Sequence, residues 1–207
     1  MSFYKTKIFP YLLELAMRDR PFTRFRKQVL DGVSGHVLEI GVGTGLNLSH
    51  YPESVVRLSV LDSNPGMSGF LRRRVKRSAI PIEIHTLSAE RLPFEDHTFD
   101  AVVSTWTLCS IPDVSAALRD VHRVLKPGGE FRYVEHGLAP DEHVRKWQHR
   151  LNGIQNVIAD GCHLNRDIPA LIRAAGFEMG SLAAAYVPKS PKTVGYFYTG
   201  TAFKPRL

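Results

Sequence analysis

The sequence has few cysteines and no long hydrophobic run, and both absences limit what the protein can be. Cys109 and Cys162 lie far apart without a CxxC or a Cys/His ligand spacing. We therefore expect a reducing, cytoplasmic compartment, no disulfide framework and no bound metal. No stretch reaches the roughly 18 uninterrupted apolar residues of a spanning helix. Because the N-terminus also has no small-residue cleavage site, we expect the protein not to be secreted.

The basic residues lack the interleaved aromatic residues that a nucleic-acid surface needs, so we expect no nucleic-acid partner. The chain has 27 Lys and Arg against 20 Asp and Glu, and the excess is concentrated at 5–27 and 72–77. Solvated helix faces, whose aliphatic stems cover apolar surface, are one interpretation of these clusters. The other is an anionic membrane surface, because the first cluster flanks an apolar patch at 8–13. That interpretation would place the protein peripherally at the inner membrane.

Helical and strand periods alternate along the chain. A length of 207 residues and a hydrophobic content of 43% predict one domain over 1–207, with a helical cap or lid at 1–32 and a core at 33–207. Buried-strand patterns occur at 37–40, 55–61, 82–86, from 99 and at 129–137, and two late strands at 179–186 and 193–203. This alternation predicts an α/β fold with an open, mostly parallel sheet and helices on both faces.

Two local patterns carry further structural predictions. Lys126-Pro127-Gly128-Gly129 has the proline and glycine placement of a type II turn, so we expect a turn before the fifth strand. A helical stripe runs through the segment 141–160, and we expect it to face the core. Its members are Val144, Trp147, Leu151, Ile154 and Ile158.

Residues 37–48, VLEIGVGTGLNL, join a buried strand to a glycine loop. The loop reads G-x-G-x-G, whereas a dinucleotide fingerprint reads G-x-G-x-x-G. Glu39, two residues before the first glycine, would repel a pyrophosphate and suits a ligand that carries an ammonium group. Asp62 ends the second strand, where the fold rule for α/β sheets expects a ribose-binding acid. S-Adenosylmethionine, which has an ammonium group and a ribose, satisfies both requirements.

Four motifs in order resemble the class I S-adenosylmethionine-dependent methyltransferases: VLEIGVGTG, LDSNPGM, SAERLPFEDHTFDAVVS and LRDVHRVLKPGGEF. The resemblance covers about 37–135 and implies a Rossmann-like fold, a seven-stranded sheet and S-adenosylmethionine as cofactor. It implies that Glu39 and the glycine backbone hold the methionine end, that Asp62 holds the ribose diol, and that Thr105 lies near the sulfonium. The cofactor-binding residues expected on this basis are Glu39, Gly41, Val42, Gly43, Gly45, Asn47, Asp62, Ser63, Ala89, Glu90 and Thr105, with Ala89 and Glu90 beside the adenine.

Later segments narrow the resemblance. TLCSI, RDVHRVLKPGGEFRYVEH, DGCHLNRD and GYFYTGTAFKP look like the animal alkyl-thiol methyltransferases of the methyltransferase-like group and their bacterial relatives. Those animal enzymes are membrane-anchored, and the N-terminal segment matches them only loosely. The resemblance implies S-methylation of a small apolar thiol. Phosphatidylethanolamine N-methylation at a membrane surface is the alternative, since bacterial phospholipid methyltransferases share much of the pattern, and a non-catalytic cofactor-binding module is the third.

The candidate catalytic groups depend on the acceptor. A thiol with a pKa near 8.5 needs little base, and we expect His136, or secondarily His163, to raise its thiolate fraction. An amine would instead need a carboxylate or a tyrosine, for which Asp160 or Tyr4 is the candidate. His136 as an ordinary strand-end histidine, and the cysteines as small buried hydrophobes, are the alternatives. The residues expected to line the acceptor pocket are Trp106, Cys109, Cys162, His163 and Tyr4. The oligomeric state stays open.

Overall fold

A seven-stranded sheet forms the centre of the computed structural model, which describes residues 3–206. The strands are β1 Gly35–Ile40, β2 Val55–Leu61, β3 Ile82–His85, β4 Phe99–Thr105, β5 Leu125–His136, β6 Glu178–Tyr186 and β7 Tyr196–Phe203. Their order in the sheet is β3-β2-β1-β4-β5-β7-β6. Strands β1 to β5 pair in parallel, and β7 runs antiparallel between β5 and β6. The mostly parallel α/β sheet predicted from the sequence is confirmed.

Helices supply two of the crossovers between the parallel strands, from β2 to β3 and from β4 to β5. The helices are α1 Phe9–Met17, α2 Arg20–Leu30, α3 Ser68–Val75, α4 Val114–Val124, α5 Glu142–Ile158 and α6 Ile168–Ala174. A π-helical turn at Tyr4–Ile8 and two 3₁₀ turns at Leu48–His50 and Pro65–Met67 complete the helical structure. Asp113 and Asp167 start α4 and α6 by accepting the backbone N–H of the residue three positions on.

The apolar core lies on both faces of the sheet. On one face, Leu118 and Val121 of α4 and Ile172 of α6 pack against the central strands and are fully buried. On the other face, Leu30 of α2 and Leu71 of α3 pack against β1, β2 and β4. Each such buried leucine contributes about 1.5–3 kcal/mol relative to an exposed one. The prediction of helices on both faces is therefore confirmed.

The prediction that the apolar stripe of α5 faces the core is wrong for three of its five residues. Trp147, Ile154 and Ile158 are 42%, 59% and 58% exposed. The buried positions of α5 are Val144 and Gln148, four residues apart. The Gln148 side chain accepts the N–H of Ala139 and donates to the carbonyl of Gly137. Gln148 thus anchors α5 through backbone hydrogen bonds. With Gln148 on the buried side of the helix, most of the apolar stripe lies toward the surface.

The turn expected at 126–129 lies inside β5. Leu125 pairs with Phe99, whereas Glu130 pairs with Ala101, so the intervening residues bulge out of the ladder. Gly128 has a φ of +77°, which agrees with the glycine position of a type II turn. The turn is therefore present, but the strand continues on both sides of it.

The N-terminal segment lies over the carboxyl ends of the parallel strands. Tyr4 Oη donates to the carbonyl of Ile158 at 2.8 Å, and Lys5 Nζ pairs with Asp160 at 2.7 Å. Farther along, Arg74 holds Glu14 through two hydrogen bonds of 2.6 and 3.2 Å. The interpretation of residues 1–32 as a cap or lid stays a prediction. Within residues 3–206, no helical segment combines the length and the hydropathy that a membrane span requires.

Candidate active site

The glycine loop leaves the end of β1 in a conformation that side chains would block. Gly41 has a φ of +66°, and a Cβ at this position would lie 2.1 Å from Thr107 Oγ1. Gly43 and Gly45 also have positive φ. The backbone N–H of Val42 donates to the carbonyl of Leu61 at 3.0 Å, which ties the loop to the end of β2. The loop therefore offers bare backbone at the carboxyl edge of the sheet, where ligands of α/β folds bind.

Glu39 is the buried acid of this loop. The carboxylate is 1% exposed, and it accepts hydrogen bonds of 2.8 Å from Asn47 Nδ2 and from Tyr51 Oη. Asn47 Nδ2 also donates to Thr105 Oγ1 at 3.0 Å. Burial raises the pKa of Glu39 to about 7. Asn47 Oδ1 is buried without a hydrogen-bond partner, so an acid and an unused acceptor lie together, as a ligand ammonium requires.

Asp62 lies at the end of β2 and is oriented by two backbone groups. Its Oδ2 accepts from the N–H of Gly43 and its Oδ1 from the N–H of Asn64, both at 2.8 Å. Burial raises the pKa of Asp62. Each carboxylate oxygen keeps a second lone pair, which a pair of ligand hydroxyl groups could use. Ser63, beside it, is exposed.

The segment after β3 holds the two residues expected beside an adenine. Ala89 is buried, which leaves an apolar surface there. Glu90 accepts a hydrogen bond of 2.8 Å from the Ser88 hydroxyl and one of 2.7 Å from the N–H of Asp113. The Glu90 carboxylate therefore also fixes this loop to the start of α4.

Arg26 of α2 is a site residue that the sequence analysis missed. It is 4% exposed, its Nη1 donates to the carbonyl of Met17 at 2.8 Å, and its guanidinium lies 4.9 Å from the centre of the Trp106 ring. Burial lowers the pKa of Arg26 to about 10, and the charge of Glu39 opposes that shift. The sequence signal is its position four residues after Phe22, on the apolar face of α2.

Trp106 forms a wall at the end of β4. Its φ is +52°, an unusual value for a residue that is not glycine. Phe22 and Phe197 contact its ring edge-on, with centroid separations of 5.4 and 5.8 Å. Trp106 Nε1 is buried without a hydrogen-bond partner. The strained backbone holds this aromatic side chain between α2 and β7.

Three predicted site residues from distant parts of the chain converge at the end of β5. Cys109 Sγ, Cys162 Sγ and a ring nitrogen of His136 lie within 4.8 Å of one another. His136 Nδ1 lies 3.7 Å from Cys162 Sγ, and its Nε2 is buried without a partner. The sheet order brings Cys109 and His136 together, because it places the ends of β4 and β5 side by side, and the turn after α5 adds Cys162.

A buried carboxylate fixes the loop that carries Cys109. Glu135 Oε1 accepts from the Ser104 hydroxyl at 2.7 Å and from the N–H of Thr107 at 3.0 Å. Burial raises the pKa of Glu135 to about 7. The sequence analysis did not select Glu135, because a strand-end acid next to His136 has no distinctive spacing.

The other predicted acceptor residues have their polar atoms engaged elsewhere. Tyr4 donates to the carbonyl of Ile158, and Asp160 binds Lys5 and Asn64. His163 Nδ1 and Nε2 lie 3.3 and 3.2 Å from the side-chain amides of Asn152 and Asn156. These side chains hold the N-terminal segment and the turn after α5 in place.

The fold and the site define a class I S-adenosylmethionine-dependent methyltransferase. A family model described as a methyltransferase domain matches residues 38–133. An S-adenosylmethionine-dependent methyltransferase of Thermotoga maritima has the same fold, with a TM-score of 0.67 and 19% identity over 97% of this chain and 98% of that chain. The thiol S-methyltransferase TMT1A of Homo sapiens is 32% identical over 183 residues, which are 86% of this chain and 75% of the relative. The chain belongs to this family of methyltransferases, as the sequence motifs predicted.

A second curated relative matches a smaller part of the chain. The phosphatidylethanolamine N-methyltransferase of Cereibacter sphaeroides is 35% identical over 104 residues, which are 49% of this chain and 51% of the relative. The match to the thiol methyltransferase therefore extends over far more of the sequence.

Proposed function

We propose that this methyltransferase methylates the sulfur of a small apolar thiol. The observation that carries the proposal is the side-chain cluster at the ends of β4 and β5, where His136 Nε2 is buried without a partner beside two cysteines and an aromatic wall. A small apolar acceptor fits such walls, and its sulfur would meet one polar atom. The extent of the match to a relative named as a thiol S-methyltransferase supports this acceptor.

Three parts of the cofactor need a binding partner in the protein: the ammonium group, the carboxylate and the ribose. When bound, S-adenosylmethionine supplies a methyl group on a positively charged sulfur. We propose that Glu39 and Asn47 hold the ammonium group, that Asp62 holds the ribose hydroxyls, and that Arg26 holds the carboxylate through a charge-assisted hydrogen bond. Further cofactor contacts are proposed at Gly41, Val42, Gly43, Gly45, Ser63, Ala89, Glu90 and Thr105.

The acceptor side has to align the sulfur and exclude water. We propose that Trp106 and the aromatic residues around it form the dry wall, and that His136 Nε2 contacts the acceptor sulfur. Asp160 has a positioning role in this proposal, because its carboxylate pairs with Lys5 of the N-terminal segment. His163 likewise supports the turn that carries Cys162.

Formation of S-adenosylhomocysteine by the purified protein tests the acceptor. One reaction contains a short alkyl thiol, and the other contains phosphatidylethanolamine vesicles. We expect thiol-dependent product from the wild-type protein and at least a tenfold loss of cofactor affinity in Asp62→Ala, since charge-assisted hydrogen bonds contribute about 1.5–3 kcal/mol each. Product with the vesicles and none with the thiol would contradict the proposal.

An exposed apolar patch supports the second part of the proposal, peripheral binding to an anionic membrane on the cytoplasmic side. Tyr11, Leu12 and Leu15 of α1 are 65%, 50% and 59% exposed. The Tyr4 hydrogen bond brings the N-terminal segment to the end of α5, where Val157 is 73% exposed. The basic residues at 5–27 lie on both sides of this apolar patch along the chain. Apolar side chains flanked by basic residues are typical of interfacial helices. The free cysteines support the cytoplasmic location.

Vesicle flotation tests this surface. Leu12→Ser should float less with anionic vesicles than the wild-type protein does. The matched control is Val56→Ser, which removes an apolar side chain that is 66% exposed on β2. Equal flotation of all three proteins would remove α1 from the proposed membrane contact.

A further inference from the structure

Cys109, His136 and Cys162 have the donor atoms and the proximity of a metal site. Their three ligand atoms lie within 4.8 Å of one another. A tetrahedral zinc ion with Zn–S bonds of about 2.3 Å and a Zn–N bond of about 2.0 Å holds its donors roughly 3.5–3.8 Å apart. The separation of 3.7 Å between Cys162 Sγ and His136 Nδ1 already agrees with this spacing. Within residues 3–206, no other group of three His, Cys, Asp or Glu side chains converges in this way.

The donor set also selects the metal. Thiolate sulfur and imidazole nitrogen favour zinc over magnesium or calcium, which prefer oxygen ligands. Two thiolates and one neutral imidazole would neutralise a divalent ion, which makes the site suitable for a largely buried location. Cys109 and His136 are buried, and Cys162 is partly exposed. Three protein ligands leave one coordination position open, as in catalytic zinc sites.

The backbone around the three residues is held by several independent contacts. Glu135 fixes the loop before Cys109, and the N–H of His163 donates to the carbonyl of Cys109 at 2.8 Å. On the other side, Asn156 Nδ2 donates to the carbonyl of Gly161 at 2.9 Å. Such contacts set the direction of metal ligands before the metal binds.

The state of His136 supplies an independent reason to look for a ligand. Its Nδ1 lies 3.7 Å from the Cys162 sulfur, a long contact, and its Nε2 has no partner. A buried imidazole without a strong hydrogen bond is unfavourable. Coordination through Nδ1 would satisfy that atom and fix the tautomer with its proton on Nε2.

We propose that Cys109, Cys162 and His136 Nδ1 bind one zinc ion and that its open position, in place of His136 Nε2, receives the acceptor sulfur. The second part rests on the proposed function. Binding would replace the S–H bond of the acceptor with a sulfur–zinc bond and release one proton to solvent. Methyl transfer would then form the new S–CH₃ bond while the sulfonium C–S bond breaks, which gives a thioether and S-adenosylhomocysteine. The neutral thioether would leave as its sulfur–zinc bond breaks, and water would take the open position. Spacing along the chain does not indicate this site, because its ligands are at least 26 positions apart.

Cobalt(II) titration of the reduced, chelator-stripped protein tests the metal site directly. We expect one equivalent of Co²⁺ to produce thiolate-to-cobalt charge transfer and tetrahedral d–d bands, which Zn²⁺ should abolish by competition. Cys162→Ser and His136→Gln should weaken Co²⁺ binding by at least about 100-fold, since loss of an outer partner of a metal ligand already costs about 10–100-fold. His143→Gln, at an exposed position on α5, is the matched control and should bind normally. Absence of these bands in the wild-type protein would overturn the inference.

Two further measurements separate this inference from the proposed function. A short alkyl thiol added to the cobalt-loaded protein should shift the d–d bands, and unchanged bands would overturn the open-position assignment. Thiol methylation at the full rate by stripped protein that takes up no metal would overturn the zinc site while the function stands. A mass two hydrogens lower without metal uptake would show a Cys109–Cys162 disulfide and would also overturn it. Metal uptake without thiol methylation would support the metal site and contradict the acceptor.

Discussion

Protonation of Glu39 should control cofactor affinity near neutral pH. In the ligand-free protein, burial raises the pKa of this carboxyl to about 7. An ammonium group beside it favours the carboxylate, because an opposite charge stabilises the ionised form. Cofactor binding below pH 7 should therefore release a proton from Glu39. The affinity should fall as the pH decreases, since the free protein then holds a proton that the complex does not.

The magnitude follows from that pKa. If the complex keeps Glu39 ionised, the apparent dissociation constant scales with one plus the ratio of protonated to ionised Glu39 in the free protein. With a pKa of about 7, the constant should increase about eightfold between pH 7.5 and pH 6. Over this range the cofactor amino group stays mostly protonated, because an α-amino group has a pKa of about 7.7–8.0.

Isothermal titration calorimetry in buffers of different ionisation enthalpy measures both the affinity and the proton release. Glu39→Gln should bind more weakly and lose the pH dependence below pH 7. Asp62→Asn should bind more weakly and keep it, since Glu39 is unchanged. A second control is 5′-methylthioadenosine, which lacks the ammonium group and should bind equally well at both pH values. Cofactor affinity that does not change between pH 7.5 and pH 6 would refute the assignment of Glu39 to the ammonium group.

Three other perturbations follow from the site. Glu39→Gln should stabilise the ligand-free protein at pH 8 by up to about 3 kcal/mol, because a folded-state pKa near 7 makes ionisation of Glu39 unfavourable to folding. The gain should shrink as the pH falls from 7 toward 4.5. Urea unfolding measures it, and an equal gain at pH 8 and at pH 4.5 would contradict the reasoning. Arg26→Met should weaken S-adenosylhomocysteine binding at least tenfold and leave 5′-methylthioadenosine binding within about twofold; equal losses would indicate a packing role. Gly41→Ala should lower the free energy of unfolding by more than about 2 kcal/mol, because the new Cβ would meet the Thr107 hydroxyl and residue 41 has a positive φ. A normal unfolding midpoint would contradict this close approach.

The parts of the fold predicted from the sequence are those that local patterns specify. Buried strands such as Val37–Ile40 are continuous apolar runs, and the glycine loop with Glu39 and Asp62 lies at strand ends whose spacing is set by one crossover. Chain order alone therefore brings the cofactor residues to one edge. The structure confirms the sheet and places those residues there, while their contacts with the cofactor stay a prediction.

The parts that were missed depend on how distant elements pack. Arg26 belongs to a run of basic residues, and only the docking of α2 shows that it is buried beside Trp106. The apolar stripe of α5 faces outward because Gln148 is used for backbone hydrogen bonds, which periodicity cannot show. The resemblance placed Cys109 and Cys162 in one acceptor pocket, but their position within 4.8 Å of each other depends on the turn after α5. A pattern along the chain contains no information on such pairs.

The engagement of Asp160, an acid expected to serve an amine acceptor, supports sulfur over nitrogen as the acceptor. An amine headgroup would need a free acid to orient it and receive its proton. Asp160 pairs with Lys5 at 2.7 Å and accepts a hydrogen bond of 3.2 Å from Asn64 Nδ2. Releasing this acid would break contacts that hold the N-terminal segment. A thiol does not need it, because its sulfur is nucleophilic once ionised, and the soft side chains around the acceptor suit it.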